Sequence, residues 1–384
     1  MQLLKKEYLM LRLKRMFTRM FWILPLNNKK LFFSSYEGKQ YSCNPRSVYE
    51  VILEKESDLI YVWEYNNKNC PDKLKKNVII VKHNSFNYFL QLLTSRYIIT
   101  NSGISASIAL RKKQVCVNTW HGGGAYKKVG IAVDEKINGT KKNELEIIAK
   151  QTTYFLSSSQ KFTEIMSEST LIDRDKFLNI GMPRNDVFFN KEIMQRVINE
   201  TKQKLQICEK DKIVLLAPTY RGCAGNANYL TVLPKENELL EALTKRFGGK
   251  WKILYRSHYY KNKENEFSNL IDVSDYPDMQ ELLCITDVLI TDYSSSIWDF
   301  SLTYKPCFLY VPDLDEYVSE RGEFYTDIMS WPGIVARNDQ ELHDKILEFE
   351  YGEYENKIEN HHKNLKSYEK GIATKQLMYI LNID

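Results

Sequence analysis

Residues 115–130 read Val-Cys-Val-Asn-Thr-Trp-His-Gly-Gly-Gly-Ala-Tyr-Lys-Lys-Val-Gly. The opening Val-Cys-Val is a short apolar run of the kind that forms a buried strand. His121 follows, at or just past that strand's carboxyl end. Gly122, Gly123 and Gly124 let the backbone approach a ligand closely and adopt positive φ. Lys127 and Lys128 then supply positive charge. An imidazole, a bare backbone and two ammonium groups suit phosphate chemistry. In open α/β sheets, ligands bind outside the carboxyl ends of strands. A glycine turn beside a structural histidine accounts for the same residues, because glycine clusters alone are weak signals.

The pattern of apolar strand followed by polar loop recurs along the chain. Runs at 30–34, 59–63, 78–81, 97–100 and 154–156 read as strands, with helices expected from Asn44 as N-cap to about residue 54 and over 86–93. After a break at Gly181-Met-Pro-Arg-Asn-Asp186 and a helix over 191–206, the alternation restarts. Strands are expected at 213–217, 252–255, 271–273, 288–291 and 307–311, and helices at 236–246, 279–284 and 295–302. Such alternation indicates βα units and parallel sheets. The expected architecture is α/β, with two Rossmann-type parallel-sheet domains at 27–190 and 191–384 and a cleft between them. The tail from Asn338 reads as helical and charged.

Composition limits the function. A hydrophobic fraction of 43% and a charged fraction of 27% argue against disorder. The net charge of +5 sits wholly in residues 1–26, where Lys5, Lys6, Arg12, Lys14, Arg15 and Arg19 face only Glu7. A nucleic-acid binder would carry a basic stripe on its folded body, so no nucleic-acid partner is expected. Residues 1–24 read as a basic amphipathic helix, with Leu9, Leu13, Met16, Phe17, Met20 and Leu24 on one face and Arg12, Arg15 and Arg19 towards the other. No uncharged run approaches the ~20 residues of a membrane span. The pattern fits a helix lying in an anionic membrane surface, and an ordinary helix packed on the body is the plainer alternative. The seven cysteines are scattered without a Cys-x-x-Cys pair, which suits reduced thiols in a cytoplasmic protein.

Further site candidates lie at strand ends. Asp292, Ser294, Ser295 and Ser296 run from a strand into a helix, where Asp292 can cap and free N–H groups and hydroxyls favour an anion. Arg256 and His258 alternate at a strand end and so share a side, and arginine's planar fork suits phosphate. Thr219 and Arg221 lie just past strand 213–217, and Arg321 lies in a loop beyond strand 307–311. A capped helix, a surface pair and plain turns explain each of these without a ligand. Asp313 and Asp315 read as loop solvation, so neither metal nor cofactor is expected. His83, His343, His361 and His362 read as structural or exposed. Without a Gly-x-Ser-x-Gly elbow or a Gly-x-Gly-x-x-Gly fingerprint, a serine hydrolase and a dinucleotide dehydrogenase are disfavoured.

Taken in order, several short stretches resemble the CDP-glycerol glycerophosphotransferase family of teichoic-acid and capsule polyol-phosphate transferases. They are residues 38–46, Thr119-Trp-His-Gly122, Lys127-Lys-Val-Gly130, Gly181-Met-Pro-Arg-Asn-Asp186, Pro218-Thr-Tyr-Arg221, Arg256-Ser-His258, Thr291-Asp-Tyr-Ser-Ser295 and Arg321-Gly-Glu-Phe-Tyr325. The resemblance covers nearly the whole chain after residue 26. It implies a GT-B-like fold and a peripheral enzyme on the cytoplasmic face of the cell membrane that uses CDP-glycerol or CDP-ribitol, and the donor is expected on the second domain with the acceptor on the first. It further implies transfer of the polyol phosphate to a lipid-linked glycan acceptor, with release of CMP. The family's two functional histidines match His121 and His258. One departure concerns the loop after Trp-His-Gly, where the family's polymerases commonly carry Thr-Pro and this chain has Gly123-Gly124. The competing readings are a GT-B glycosyltransferase or epimerase using a nucleotide sugar, and a membrane-bound scaffold with an inactive site. Donor-dependent CMP release separates all three. Glycerol against ribitol, single addition against polymerisation, teichoic acid against capsule, and a homo-oligomer against a monomer stay open.

Overall fold

The computed structural model describes residues 2–55, 58–67, 71–74, 78–133, 139–219, 233–256 and 270–383. The chain forms two compact units. It opens with α1 (Gln2–Arg19) and a short 3-10 turn (Met20–Ile23), then enters the first sheet. The strands of that sheet are β1 (Asn27–Ser34), β2 (Ile60–Glu64), β3 (Val78–Val81), β4 (Ser95–Thr100), β5 (Val115–Asn118), β6 (Tyr154–Leu156) and β7 (Phe177–Leu178). All pair in parallel, in the order β3-β2-β1-β4-β5-β6-β7. Helices α2 (Cys43–Leu53), α3 (Phe86–Thr94), α4 (Gly139–Gln151) and α5 (Gln160–Thr170) lie between strands.

Alternation along β1 sends neighbouring side chains to opposite faces. Phe32 packs with Val62, Tyr88, Leu92 and Ile98. Phe33 stacks on Trp63 and meets Tyr49 of α2 edge-on. Both phenylalanines are fully buried, as expected of a parallel sheet covered on two faces.

The second unit begins with α6 (Lys191–Lys204), which packs on α8 (Met279–Ile285). Its strands are β8 (Lys212–Ala217), β9 (Trp251–Tyr255), β10 (Leu270–Asp272), β11 (Val288–Thr291), β12 (Cys307–Tyr310) and β13 (Ile334–Ala336). They form an all-parallel sheet in the order β10-β9-β8-β11-β12-β13. Its other helices are α7 (Glu236–Phe247), α9 (Ser296–Ser301), α10 (Leu314–Arg321), α11 (Asp339–Leu347) and α12 (Tyr351–Leu365). Trp298 and Phe300 of α9 are fully buried in the core. The chain then returns to the first unit through α13 (Ala373–Leu381).

The partition therefore differs from one cut after residue 190. The first unit comprises Met1–His121, Val129–Asp186 and Ser367–Asp384, and the second Gly122–Lys128 and Val187–Lys366. Two local causes are visible. Tyr126 is buried among second-unit residues, at 4.4 Å from the Trp331 ring, and its hydroxyl lies 3.0 Å from His361 Nε2. The tail is tied down by Asp186, whose two carboxylate oxygens accept the Ala373 and Thr374 N–H groups that open α13.

Three local expectations are corrected. Asn44 is not an N-cap: α2 begins at Cys43 after Ser42, and Asn44 is wholly buried inside the first turn. Arg15, expected with Arg12 and Arg19 on a basic face turned to anionic head groups, instead donates its guanidinium N–H to the carbonyls of Ala106 and Ile108. Arg321 ends a helix, α10, and does not sit in a loop.

Candidate functional site

In both sheets the strand order reverses at one point, between β1 and β4 in the first and between β8 and β11 in the second. Crevices at such points, beyond the carboxyl ends of the strands, are where open α/β sheets hold ligands. The two units are built alike there. Asn101 directly follows β4, and its Oδ1 accepts the N–H of Tyr36, two residues past β1, at 2.8 Å. Asp292 directly follows β11, and its carboxylate accepts the N–H of Thr219, two residues past β8, at 2.8 and 2.9 Å. Each side chain ties together the two loops that open its crevice.

His121 sits at the first of these points. Its Nδ1 lies 2.8 Å from the Asn101 carbonyl, which can only accept, so Nδ1 carries the proton and Nε2 the lone pair. Burial holds the imidazole pKa below its usual value; the Asn101 carbonyl opposes this and the Arg184 guanidinium adds to it. His121 is thus neutral near pH 7. Its ring stacks on Trp120 at 4.6 Å and meets Tyr36 at 5.6 Å.

The backbone before His121 is unusual. Trp120 takes φ +54, a left-handed conformation seldom adopted by a bulky residue. Asn44 Nδ2 donates to the carbonyls of Thr119 at 3.2 Å and Trp120 at 3.0 Å. Arg184 Nη1 donates to the His121 carbonyl at 2.8 Å. The Arg184 N–H in turn donates to Asn44 Oδ1 at 3.0 Å. Asn44 and Arg184 fall within stretches singled out in the sequence, 38–46 and 181–186, but were not read as site residues, and Asn101 was not singled out at all. Asn101 was findable, since it follows an apolar strand just as His121 does.

The glycine-rich loop is packed. A Cβ on Gly123 would stand 2.0 Å from the Trp298 ring, and one on Gly124, at φ +77, would stand 2.4 Å from the Tyr126 ring. Here the Gly123-Gly124 pair answers to aromatic neighbours. Lys127 Nζ lies 5.4 Å from the Tyr317 ring centroid, and Lys128 Nζ pairs with Glu323 at 3.3 Å. Gly122 opens this segment of the second unit.

In the second unit, Thr219, Asp292, Ser294, Ser295 and Ser296 come together beyond β8 and β11. Asp292 does not cap α9; beyond Thr219, it accepts the Tyr293 N–H at 2.6 Å. Ser295 holds the cap position without a side-chain hydrogen bond. Ser294 Oγ accepts from the Ser296 N–H and hydroxyl at 3.3 and 2.9 Å. Arg256 directly follows β9, its N–H donating to the Leu216 carbonyl at 2.9 Å. Arg221 and His258 lie outside the described residues, and of Arg321 only the backbone is described.

With the architecture in place, likeness to known proteins becomes informative. The profile of the CDP-Glycerol:Poly(glycerophosphate) glycerophosphotransferase family matches residues 16–381. The chain belongs to this family. It is 30% identical to the teichoic acid poly(glycerol phosphate) polymerase of Bacillus spizizenii, over 98% of each chain. It is also 30% identical to the teichoic acid glycerol-phosphate transferase of Staphylococcus aureus, over 84% of this chain and 85% of that one. A solved structure of the wall teichoic acid polymerase TagF matches with a TM-score of 0.81 at 25% identity, covering 100% of this chain and 98% of that one. The fold is GT-B-like, and the protein is a transferase of phosphate-containing groups.

Proposed function

We propose that the protein moves glycerol phosphate or ribitol phosphate from a CDP-polyol to a hydroxyl of a lipid-linked acceptor in teichoic acid synthesis, with His121 as general base. The observation that carries the assignment is the Nδ1–H bond to Asn101, which leaves a neutral imidazole with its lone pair on Nε2. The acceptor oxygen attacks the β-phosphorus as Nε2 takes its proton. The bond from the β-phosphorus to the bridging oxygen breaks, and CMP departs with that electron pair. CMP has a second pKa of roughly 6, so it needs no proton to leave. The second unit binds the donor. Arg256 and Arg221 serve the diphosphate, helped by Thr219, the Ser294–Ser296 turn, Arg321 and His258, which stabilise charge as it shifts. Asp292 serves by holding the Thr219 loop. Gly122, Gly123, Lys127 and Lys128 border the acceptor.

The protein works at an anionic, cytoplasmic membrane surface through α1. Leu9, Leu13, Met16 and Met20 are 56%, 45%, 62% and 70% exposed, while Leu11, Thr18 and Phe21 hold the body. No helix among the described residues is long and apolar enough to cross a membrane.

The test is CMP release from CDP-glycerol and from CDP-ribitol across a panel of lipid-linked acceptors. His121→Ala lowers turnover strongly at near-normal donor affinity, and His258→Ala lowers both. If His121→Ala loses donor binding yet keeps turnover at saturating donor, the assignment is reversed. Absence of CMP release from both donors rejects the function.

A further inference from the structure

We infer that Asn44 and Arg184 act as positioning residues for the transfer, as a two-residue clamp that sets where the His121 imidazole stands. The inference rests on the reading of His121 as general base. Three segments far apart in sequence meet at the clamp: the first turn of α2, the loop after β5, and the 3-10 turn of Pro183–Phe189. Three consecutive carbonyls, those of Thr119, Trp120 and His121, are taken by these two side chains. A left-handed tryptophan is strained and persists only where its surroundings over-determine it. The clamp supplies that determination, gripping the carbonyls on both sides of Trp120 as well as its own.

The orientation of Asn44 follows from its partners. Turning its amide over would aim an oxygen at two carbonyl oxygens and an NH2 at the Arg184 N–H. The amide therefore both grips the strained turn and seats the backbone of the arginine that holds His121. Asn44 is fully buried and Arg184 is 6% exposed, so water does not readily replace either grip. A displacement of about 1 Å at a reacting group can cost about 10²-fold in rate, which is the scale on which such a clamp matters.

Arg184 also brings charge. Among the described residues, the groups against His121 are the Arg184 guanidinium, the Trp120 ring, the Tyr36 ring from the loop after β1 and the neutral Asn101 carbonyl from the loop after β4. The Cys43 thiol, from the start of α2, lies on Arg184 itself at 3.3 Å. The guanidinium is the cation among them, so it opposes protonation of the imidazole it positions.

Three variants separate fork, charge and amide: Arg184→Lys, Arg184→Met and Asn44→Asp. CMP release from CDP-glycerol, or from CDP-ribitol if that is the donor used, gives kcat and KM; 1H–15N NMR of the histidines gives the His121 titration; thermal melting reports folding. All three variants are expected to lose about 10²-fold in kcat, with donor KM changed less than about twofold. Arg184→Met shifts the His121 titration to higher pH, whereas Arg184→Lys leaves it in place. Unchanged kcat in Asn44→Asp and Arg184→Lys overturns the clamp. So does a loss of kcat that only tracks loss of folded protein, or the unfolding of all three variants. His121→Ala is the control. Its full activity would sink the general-base reading itself, while an inactive His121→Ala beside fully active clamp variants would sink the clamp alone.

Discussion

At the residue scale, the imidazole of His121 is prepared by neighbours that never need to touch the substrate. A carbonyl selects the tautomer, and burial with a guanidinium keeps the ring neutral. Because these causes lower its pKa in the free protein, the acid limb of kcat/KM that belongs to His121 is expected below pH 6.5, the ordinary histidine value. An acid limb at or above 6.5 would contradict that environment. Gly123 gives a second expectation. In Gly123→Ala the new methyl meets the Trp298 ring at 2.0 Å, and neither the buried indole nor the loop can yield without repacking. A loss of about 1–3 kcal/mol in thermal or urea unfolding is expected, and Gly123→Ala with wild-type stability would contradict the packing. His121 was legible in the sequence as a histidine at a strand end, but the contacts that prepare it and the packing of Gly123 were not. Asn44 looked like a helix cap because Asn before Pro is a good cap, but its value lies in contacts with residues 119, 120 and 184, and long-range contacts leave no local pattern.

At the element scale, most strands could be read in advance because a parallel strand buried on both faces is a run of apolar residues. The strands at 78–81, 154–156 and 288–291 match their expected bounds. β7 and β13, with two and three residues, were not read as strands. α4 and α5 were missed because both are largely polar and partly exposed, so little apolar periodicity marks them. Two helices invite tests. Replacing Leu9, Leu13 and Met16 of α1, and Met20 just after it, by Ser removes exposed apolar surface without touching the buried Leu11, Thr18 and Phe21. Sedimentation with anionic liposomes should fall sharply while the melting temperature stays put; undiminished sedimentation would exclude α1 as the anchor. In α13, Asp186→Ala leaves the Ala373 and Thr374 N–H groups uncapped. A loss of roughly 0.5–2 kcal/mol is expected from the cap alone.

At the scale of the whole molecule, stability should depend on pH through two adjacent histidines of the second unit. Burial lowers the pKa of His361 and of His362 to about 4 each. His361 donates from Nδ1 to the Ser330 carbonyl, which leaves Nε2 to accept from the Tyr126 hydroxyl, while His362 pairs with Ser301. Between about pH 4 and the unfolded value of about 6.5, the unfolded chain holds more protons than the folded one. Stability therefore falls as the pH drops through that window, by up to about 2.7 kcal/mol per pH unit for the two groups. His361→Gln with His362→Gln should flatten the dependence; an unchanged slope would place the titration elsewhere. The two-sheet organisation was readable from alternation alone, but the crossings of the chain were not, since seven residues at 122–128 carry too little pattern to announce which core they join. Those crossings bear on anyone wishing to dissect the enzyme. Cutting the gene after residue 190 would yield a front half still carrying Gly122–Lys128, its Tyr126 stripped of Trp331 and His361, and lacking α13 with its buried Leu377, Met378 and Leu381. The back half would drag that helix along as an unhoused greasy tail. A two-plasmid complementation experiment would thus succeed only if the halves meet while folding, and a self-sufficient first unit calls for splicing 1–121, 129–186 and 367–384 into one reading frame.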